Sequence, residues 1–304
     1  MDLVGTQDVP ALHRIFKNGK IRGWSIEKLL DKIRLAVDGT YHAKNFSDLE
    51  FDLATTIYEL GGGAALYALQ KSPFSFPSRT TILEHRQNFK LCITVGEVKM
   101  SDILANIKTM FKDVSPGHQK VPITLSLDEV ATDGRLCYLP ETDEIAGLCE
   151  HAVTGVPSFK MGKDLTTVRT VTKAVHEDKI HIGKELLVAA FARNAETNYG
   201  AKPVLLMPTC KKGSFHDSAL IIEKCRQAWK LSPYGETLHG PLSSLGSDGC
   251  PKRRPALYLH CMVRELTPVD PLFKYLGDLP GLNLWTGPGG MTQDLDYKHD
   301  MKRM

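Results

Sequence analysis

Apolar side chains recur at helical spacing through the first third of the chain. A first amphipathic helix is predicted to begin after Ser25, which can act as its N-cap. A second should begin after Ser47, because Ser47 and Glu50 match a capping box and Phe46 and Phe51 match a hydrophobic staple. The apolar stripes of the two helices are Ile26, Leu29, Leu30, Ile33 and Val37, and then Leu49, Leu53, Ile57 and Leu60.

Two shorter helices are predicted next, separated by a tight break. The glycines at 61–63 end the preceding helix, and after a short helical segment Ser78 can cap a helix that carries Arg79 and Arg86. Such a pair resembles a helix-turn-helix, in which Arg79 and Arg86 would contact DNA phosphates. Helical hairpins that bind no nucleic acid are more common, so a purely structural pair stays open as the alternative.

Further along, the apolar positions form the short runs that are typical of strands. The run 123–130 is predicted to be a strand, and Asp133-Gly134 a hairpin turn that leads to a returning strand at 135–139. The fold class is therefore α/β (α+β), with a helical region over 1–114 and a sheet domain over 121–304. The other predicted elements are strands within 145–151, 186–191, 203–207 and 240–249, helices at 214–231 and 256–264, and a polar excursion near 153–184.

Two aspartates follow predicted strands of the sheet domain. Asp128 ends the strand 123–130, and Asp248 closes the strand within 240–249, 120 positions further on. Open sheets carry their sites at strand ends, and hard divalent cations prefer several carboxylate oxygens, so the pair could bind a metal if the fold brings it together. The alternative is a solvated turn at each position. Only the fold decides between the two.

Composition and charge narrow the classes of function. The net charge of +3 balances 38 basic against 35 acidic residues, so a nucleic-acid surface must be local rather than global. Seven cysteines without a C-x-x-C pair argue against a disulfide framework and a zinc finger. No apolar run approaches the ~20 residues that span a bilayer. The sequence therefore predicts an intracellular protein with no membrane partner and no small-molecule substrate.

Histidines and cysteines of the polar excursion and its flanks are possible metal ligands. His176 and His181, and Cys149 with His151, lie in polar segments without a second matching pair of ligands. Surface or packing roles are the prediction for these side chains.

Four stretches of the sequence resemble transposases of the P-element and THAP type. They are Ala65 to Leu69 with Phe76 to Ile82, Leu125 to Glu129 with Gly147 downstream, Ser247-Asp248-Gly249, and Asp296 to Arg303. The first resembles the Tyr-containing helix and Leu-Pro-Ser-x-Arg-Thr-Leu turn before the catalytic domain. The second and third resemble the two strand ends that carry catalytic acids, and the last resembles an Asp-x-x-His-x-x-Lys stretch.

This resemblance implies a ribonuclease-H-like mixed sheet with flanking helices and a DNA partner. Asp128 and Asp248 would be the first two ligands of catalytic Mg²⁺ in cutting and joining DNA. In the resembled motif, His299 and Lys302 would have structural or DNA-contacting roles. Apart from the resemblance, Arg253 and Arg254 follow Asp248 at the start of a predicted helix, where cations and backbone N–H groups can meet a phosphate chain. With Arg79 and Arg86 they are the other predicted DNA contacts.

The family's third acid, a glutamate, has no assigned counterpart in this sequence. The resemblance therefore predicts a truncated, degenerate or domesticated transposase derivative that acts in the nucleus, with an incomplete catalytic sheet. A non-catalytic module for DNA binding or self-association, with homo-oligomers as a possible assembly, is the alternative function. The two readings differ in metal dependence, since phosphate binding alone is salt-sensitive but needs no metal.

Overall fold

The structure is a computed structural model of the chain. It describes residues 12–41, 45–70, 76–87, 90–114, 117–140, 142–149, 159–162, 165–197, 199–248 and 250–295. Internal contacts divide the chain into two compact units, Met1–Lys90 and Leu91–Met304. The helix Met100–Phe111, which the sequence placed in the helical region, belongs by its contacts to the second unit, since its apolar face packs on the sheet.

Four helices make up the described part of the first unit. Buried Ile15 and Ala36 join the first pair, and Ala54, Leu66 and Ile82 join the second pair. The helices are α1 (Leu12–Arg22), α2 (Ile26–Val37), α3 (Asp48–Gln70) and α4 (Arg79–Gln87).

The helix-start signals of the sequence are confirmed. The Ser25 side chain accepts a hydrogen bond from the Lys28 amide at 3.3 Å. At the start of α3, Glu50 accepts from the Ser47 amide at 2.7 Å, and the Phe46 and Phe51 rings meet at 5.9 Å. α3 spans the three glycines as two helical segments, which meet where Gly62 adopts φ 69°.

A five-stranded sheet forms the centre of the second unit, in the order β5-β4-β1-β6-β9. β4 is antiparallel to β1 and β5, whereas β1, β6 and β9 run parallel. This mixed sheet with helices packed on it is the ribonuclease-H-like architecture that the sequence resemblance implied. The nine strands found in the described residues are β1 (Ile123–Ala131), β2 (Cys137–Leu139), β3 (Glu144–Ala146), β4 (Glu185–Arg193), β5 (Lys202–Thr209), β6 (Leu242–Ser247), β7 (Arg264–Glu265), β8 (Trp285–Thr286) and β9 (Thr292–Leu295).

The predicted hairpin after β1 is wrong. Gly134 does turn with φ 57°, but β2 pairs with β3 in a separate two-stranded sheet, and β1 pairs with β4 and β6 instead. Turn residues indicate where a chain bends, and they do not choose among strands that pair from far along the sequence. The predicted strands at 186–191 and 203–207 are confirmed as β4 and β5.

Helices cover the sheet and bury its apolar residues. α7 begins at a capping box, in which Asp217 accepts from the Ser214 amide at 2.6 Å. Trp229 of α7 contacts Phe111 and Phe191 at the centre of the core. The helices of the second unit are α5 (Met100–Phe111), α6 (Thr166–His176), α7 (Phe215–Leu231), α8 (Glu236–His239), α9 (Arg253–Cys261) and α10 (Phe273–Leu276). Among the described residues, no helix combines the length and the apolarity needed to cross a membrane.

The segment between β1 and β4, which contains the polar excursion, has its own small core. We call this whole segment the excursion. α6 packs Val171 and Ala174 against Ile145, Leu148 and Ile180. An isolated antiparallel bridge between Leu148 and Ile182 ties the end of this segment back to the approach to β4.

We predict that Gly147→Ala destabilises the excursion by at least about 2 kcal/mol. Gly147 has φ 96°, and a Cβ there would lie 2.3 Å from the Arg135 carbonyl oxygen. Gly162→Ala is the matched control, because Gly162 also has a positive φ but a Cβ there meets nothing within 4 Å. Urea unfolding measures both variants, and an equal loss in the two would show that the close approach to Arg135 is unimportant.

Candidate metal centre

The parallel pairing of β1 with β6 sets the position of the two aspartates. Leu127 and Ser247 are the last pair of this parallel ladder, so Asp128 and Asp248 are the next residues on the two strands. Asp128 lies within β1, three residues before its end, and Asp248 directly follows β6. The strands are held in this register by alternation, since Leu125 and Leu127 are buried in the core while the side chain of Asp128 is exposed. The fold therefore brings together the two acids that the sequence leaves 120 positions apart.

Three carboxylates converge at these strand ends. One oxygen from each of Asp128, Glu129 and Asp248 lies within 4.8 Å of the others. Asp128 Oδ1 accepts from the Glu129 amide at 2.8 Å, and Asp248 Oδ1 accepts from the Cys250 amide at 3.1 Å. The backbone thus orients both aspartates before any ion binds.

Arg253, at the start of α9, lies inside this acidic cluster. Its side chain is 3% exposed and forms ion pairs with Glu129 and, at 3.1 Å, with Asp248 Oδ1. The same guanidinium donates to the Leu127 carbonyl oxygen at 3.0 Å. Arg253 therefore ties the ends of β1 and β6 to the first turn of α9.

The cluster borders a cavity of about 360 Å³. Its lining includes the acids Glu129 and Asp248 and the lysines Lys211 and Lys252. Lys211 forms an ion pair with Glu185 at 2.7 Å, and this hydrogen bond raises the pKa of the lysine above its usual value. The Lys252 ammonium donates to the Lys211 carbonyl oxygen. Positive side chains thus border the acids, as a site for a phosphate chain beside a cation would require.

The donor set fits a hard divalent cation. Carboxylate oxygens are the ligands that Mg²⁺ prefers, and Mg²⁺ sites in proteins use only one or two of them together with water. Three carboxylates opposed by the one guanidinium of Arg253 leave two negative charges, which one divalent ion would neutralise.

The other predicted DNA contacts occupy different environments. Arg79 donates to the Tyr58 hydroxyl at 2.7 Å and Arg86 pairs with Glu59, so both join α4 to α3. Arg254 is exposed in the first turn of α9. Arg253 is buried and engaged by two carboxylates, which suits a residue that orients the acids better than one that meets a phosphate. His299 and Lys302 lie outside the described residues.

Sequence reasoning did not single out two members of the cluster in these roles. The sequence indicates Glu129 only as the neighbour of Asp128, and it predicts Arg253 as a DNA contact and not as a partner of the acids. An arginine five residues after a strand-ending aspartate is the available signal, since the first turn of a following helix can return to that aspartate.

Comparisons with known proteins give one distant likeness. No family model and no curated protein matches the sequence. Among solved structures, the Drosophila P element transposase strand transfer complex is similar with 16% identity and a TM-score of 0.37. The match covers 79% of this chain and 42% of that chain, so the protein spans less than half the length of the transposase chain. At this identity and TM-score, the likeness assigns neither a family nor an activity.

We predict that Arg253→Lys lowers the free energy of unfolding by about 2–4 kcal/mol. A lysine keeps the charge, but its single nitrogen cannot occupy both positions from which Nη1 reaches Leu127 and Asp248 and Nη2 reaches Glu129. Arg254→Lys on the exposed neighbour is the control and should change stability by less than about 0.5 kcal/mol. Chemical denaturation gives both values, and equal losses would contradict a specific role for the buried guanidinium.

Proposed function

We propose that the chain is a transposase-derived protein that binds DNA and holds Mg²⁺ at Asp128, Glu129 and Asp248. The observation that carries the proposal is the convergence of these carboxylates at the ends of two adjacent parallel strands. The sequence likeness to P-element and THAP transposases supports it, because the same two aspartates fall in the acid motifs. Chromosomal DNA as the partner implies a nuclear site of action.

Each residue of the site has a distinct part in this proposal. Asp128, Glu129 and Asp248 supply the oxygen ligands. Arg253 orients Asp248 and Glu129 and limits their mutual repulsion. Bound Mg²⁺ supplies an activated water or hydroxyl and offsets the charge of a phosphodiester. Lys211 and Lys252 provide positive charge where the DNA backbone would enter.

We propose that this protein binds the metal ion well but cleaves DNA only weakly. Within the described residues, the acidic ligand atoms come from the ends of β1 and β6, and no third element contributes one. In the family resembled, a third acid on a late helix completes the ligands of the two ions that activate the nucleophile and stabilise the leaving oxygen. We therefore expect a cluster that binds the ion and cleaves DNA weakly.

We predict that Mg²⁺ stabilises the protein through this cluster. At ten times the dissociation constant, the gain in unfolding free energy is about 1.4 kcal/mol for a single site. Asp128→Asn and Asp248→Asn should abolish this gain, because each removes a charged ligand. Asp133→Asn is the control, since Asp133 is exposed and pairs only locally with Arg135.

Calorimetric titration with Mg²⁺ and Mn²⁺ gives the binding constant directly. If wild type and Asp248→Asn bind Mg²⁺ equally, the acid cluster is not the metal site. Cleavage of a supercoiled plasmid, measured with the same variants, then tests whether any nuclease activity depends on the two aspartates.

Self-association or metal-free DNA binding is the second candidate function. The first unit exposes large apolar side chains on its helices, a feature that favours contact with another protein surface. The most exposed are Ile26 at 78%, Leu49 at 76% and Leu60 at 86%. α4 also carries Arg79 and Arg86, the predicted phosphate contacts.

We predict that any DNA binding through α4 persists in EDTA and falls steeply with salt. Replacing both Arg79 and Arg86 by Gln should reduce the slope of log K against log salt by about 2, because each phosphate contact contributes roughly one unit. Arg34→Gln is the control for an exposed arginine on α2. An unchanged slope in the double variant, measured by fluorescence anisotropy, would exclude α4 as the DNA-binding helix.

A further inference from the structure

A second cluster of possible metal ligands lies away from the carboxylates of the acid site. One ring nitrogen of His181 and the Sγ atoms of Cys149 and Cys210 lie within 4.8 Å of one another. Cys149 is buried and the other two residues are half-buried. The sequence alone predicts surface or packing roles for Cys149 and His181, and nothing in it indicates that Cys210 is their neighbour. Its other possible ligand, His151, lies outside the described residues.

The backbone builds this cluster from three separate segments. The Cys149 amide donates to the His181 carbonyl oxygen at 3.0 Å, which places these two residues side by side. Cys210 follows the last residue of β5, next to the start of β4. Gly183 allows the segments to approach, because a Cβ there would lie 2.6 Å from Pro208 Cβ. The close approach is thus a property of the fold and not of one flexible side chain.

One nitrogen of the His181 ring is buried without a hydrogen-bond partner in the described part of the chain, and the other has two charged neighbours. Its Nδ1 is buried and has no hydrogen-bond partner among the described residues. Its Nε2 lies 3.3 Å from Asp178 Oδ1 and 2.9 Å from Lys212 Nζ. Metal-binding histidines commonly donate their second ring N–H to a carboxylate, which leaves the other nitrogen to bind the ion. In the proposed site Nε2–H donates to Asp178, so Nδ1 is the ligand atom. The Lys212 ammonium, which can only donate, must turn away from Nε2 when the ion binds.

We propose that Cys149, His181 and Cys210 bind a zinc ion, with water as the fourth ligand. Two thiolates and an imidazole are soft and borderline donors that select Zn²⁺ over Mg²⁺. Zinc–sulfur and zinc–nitrogen bonds of about 2.3 and 2.0 Å put tetrahedral ligand atoms roughly 3.3–3.8 Å apart. The side chains therefore need only a contraction of about 1 Å around the ion.

The other buried thiols of the second unit differ from this pair. Burial among apolar side chains raises the pKa of Cys225 to about 12 and of Cys261 to about 11, so neither forms a thiolate readily. Both belong to the core between α7, α9 and the sheet. The cluster at Cys149 brings sulfur and imidazole together, whereas the thiols of Cys225 and Cys261 fill an apolar core.

Zinc at this position would fasten the excursion to the sheet. Cys149 and His181 border the small core around Leu148 and Ile180, and Cys210 opens the turn that follows β5. The same turn carries Lys211, which lines the cavity beside the acid cluster. The ion would therefore fix the position of a lysine beside the acids, although the zinc proposal does not depend on Mg²⁺ binding there.

The zinc content of the purified full chain tests the proposal. We expect about one zinc per chain by elemental mass spectrometry, and at least a tenfold loss of zinc affinity in Cys210→Ser and His181→Asn. Cys137→Ser and His176→Asn are the matched controls, because both residues are exposed and neither contributes a ligand atom to the cluster; they should retain the metal. Asp128→Asn should retain it as well, which separates this site from the proposed Mg²⁺ site.

Cobalt substitution provides a readout that does not rely on folding alone. Co²⁺ added to the chelator-treated protein should give a thiolate-to-cobalt absorption band, which Cys210→Ser reduces to about half while circular dichroism stays unchanged. Asp178→Asn should weaken zinc binding about tenfold through the orientation of His181. The proposal would be overturned by the absence of a cobalt band in wild type or by a full band in Cys210→Ser. A Cys149–Cys210 disulfide in protein purified without reductant would overturn it as well.

Discussion

The parallel pairing of β1 with β6 is the contact on which the candidate chemistry depends. One register places Leu127 beside Ser247, and from it follow both the burial of the apolar side chains and the meeting of Asp128 with Asp248. A slip by one residue would turn the apolar side chains of β1 toward the wrong face and separate the acids. Core packing and site geometry therefore depend on the same register.

Arg253 balances the repulsion that this register creates. Like charges at such separation raise each other's energy, and the buried guanidinium offsets that cost while its hydrogen bond to Leu127 anchors it to the backbone. A cation that binds the same carboxylates adds to this balance. Hydrogen bonds and ion pairs within the chain thus hold the acids in position.

Local sequence signals predicted what is local in this fold. Caps at Ser25 and Ser47 and the apolar runs of β4 and β5 depend on neighbours within a few residues, and they are confirmed. The hairpin after β1 failed because pairing is decided by distant strands. The approach of Cys149 to Cys210 could not be predicted for the same reason. It depends on contacts between distant segments, namely the bridge between Leu148 and Ile182 and the close packing that Gly183 allows.

The long separation between β1 and β6 also has a kinetic consequence. β1, β4 and β5 pair as consecutive antiparallel neighbours of the sheet, whereas β6 joins β1 only after more than a hundred intervening residues have been made. Contacts that close long loops form slowly. We expect a nascent chain to collapse around the antiparallel strands while the edge of β1 stays unpaired. During synthesis that edge is where a chaperone would be needed most.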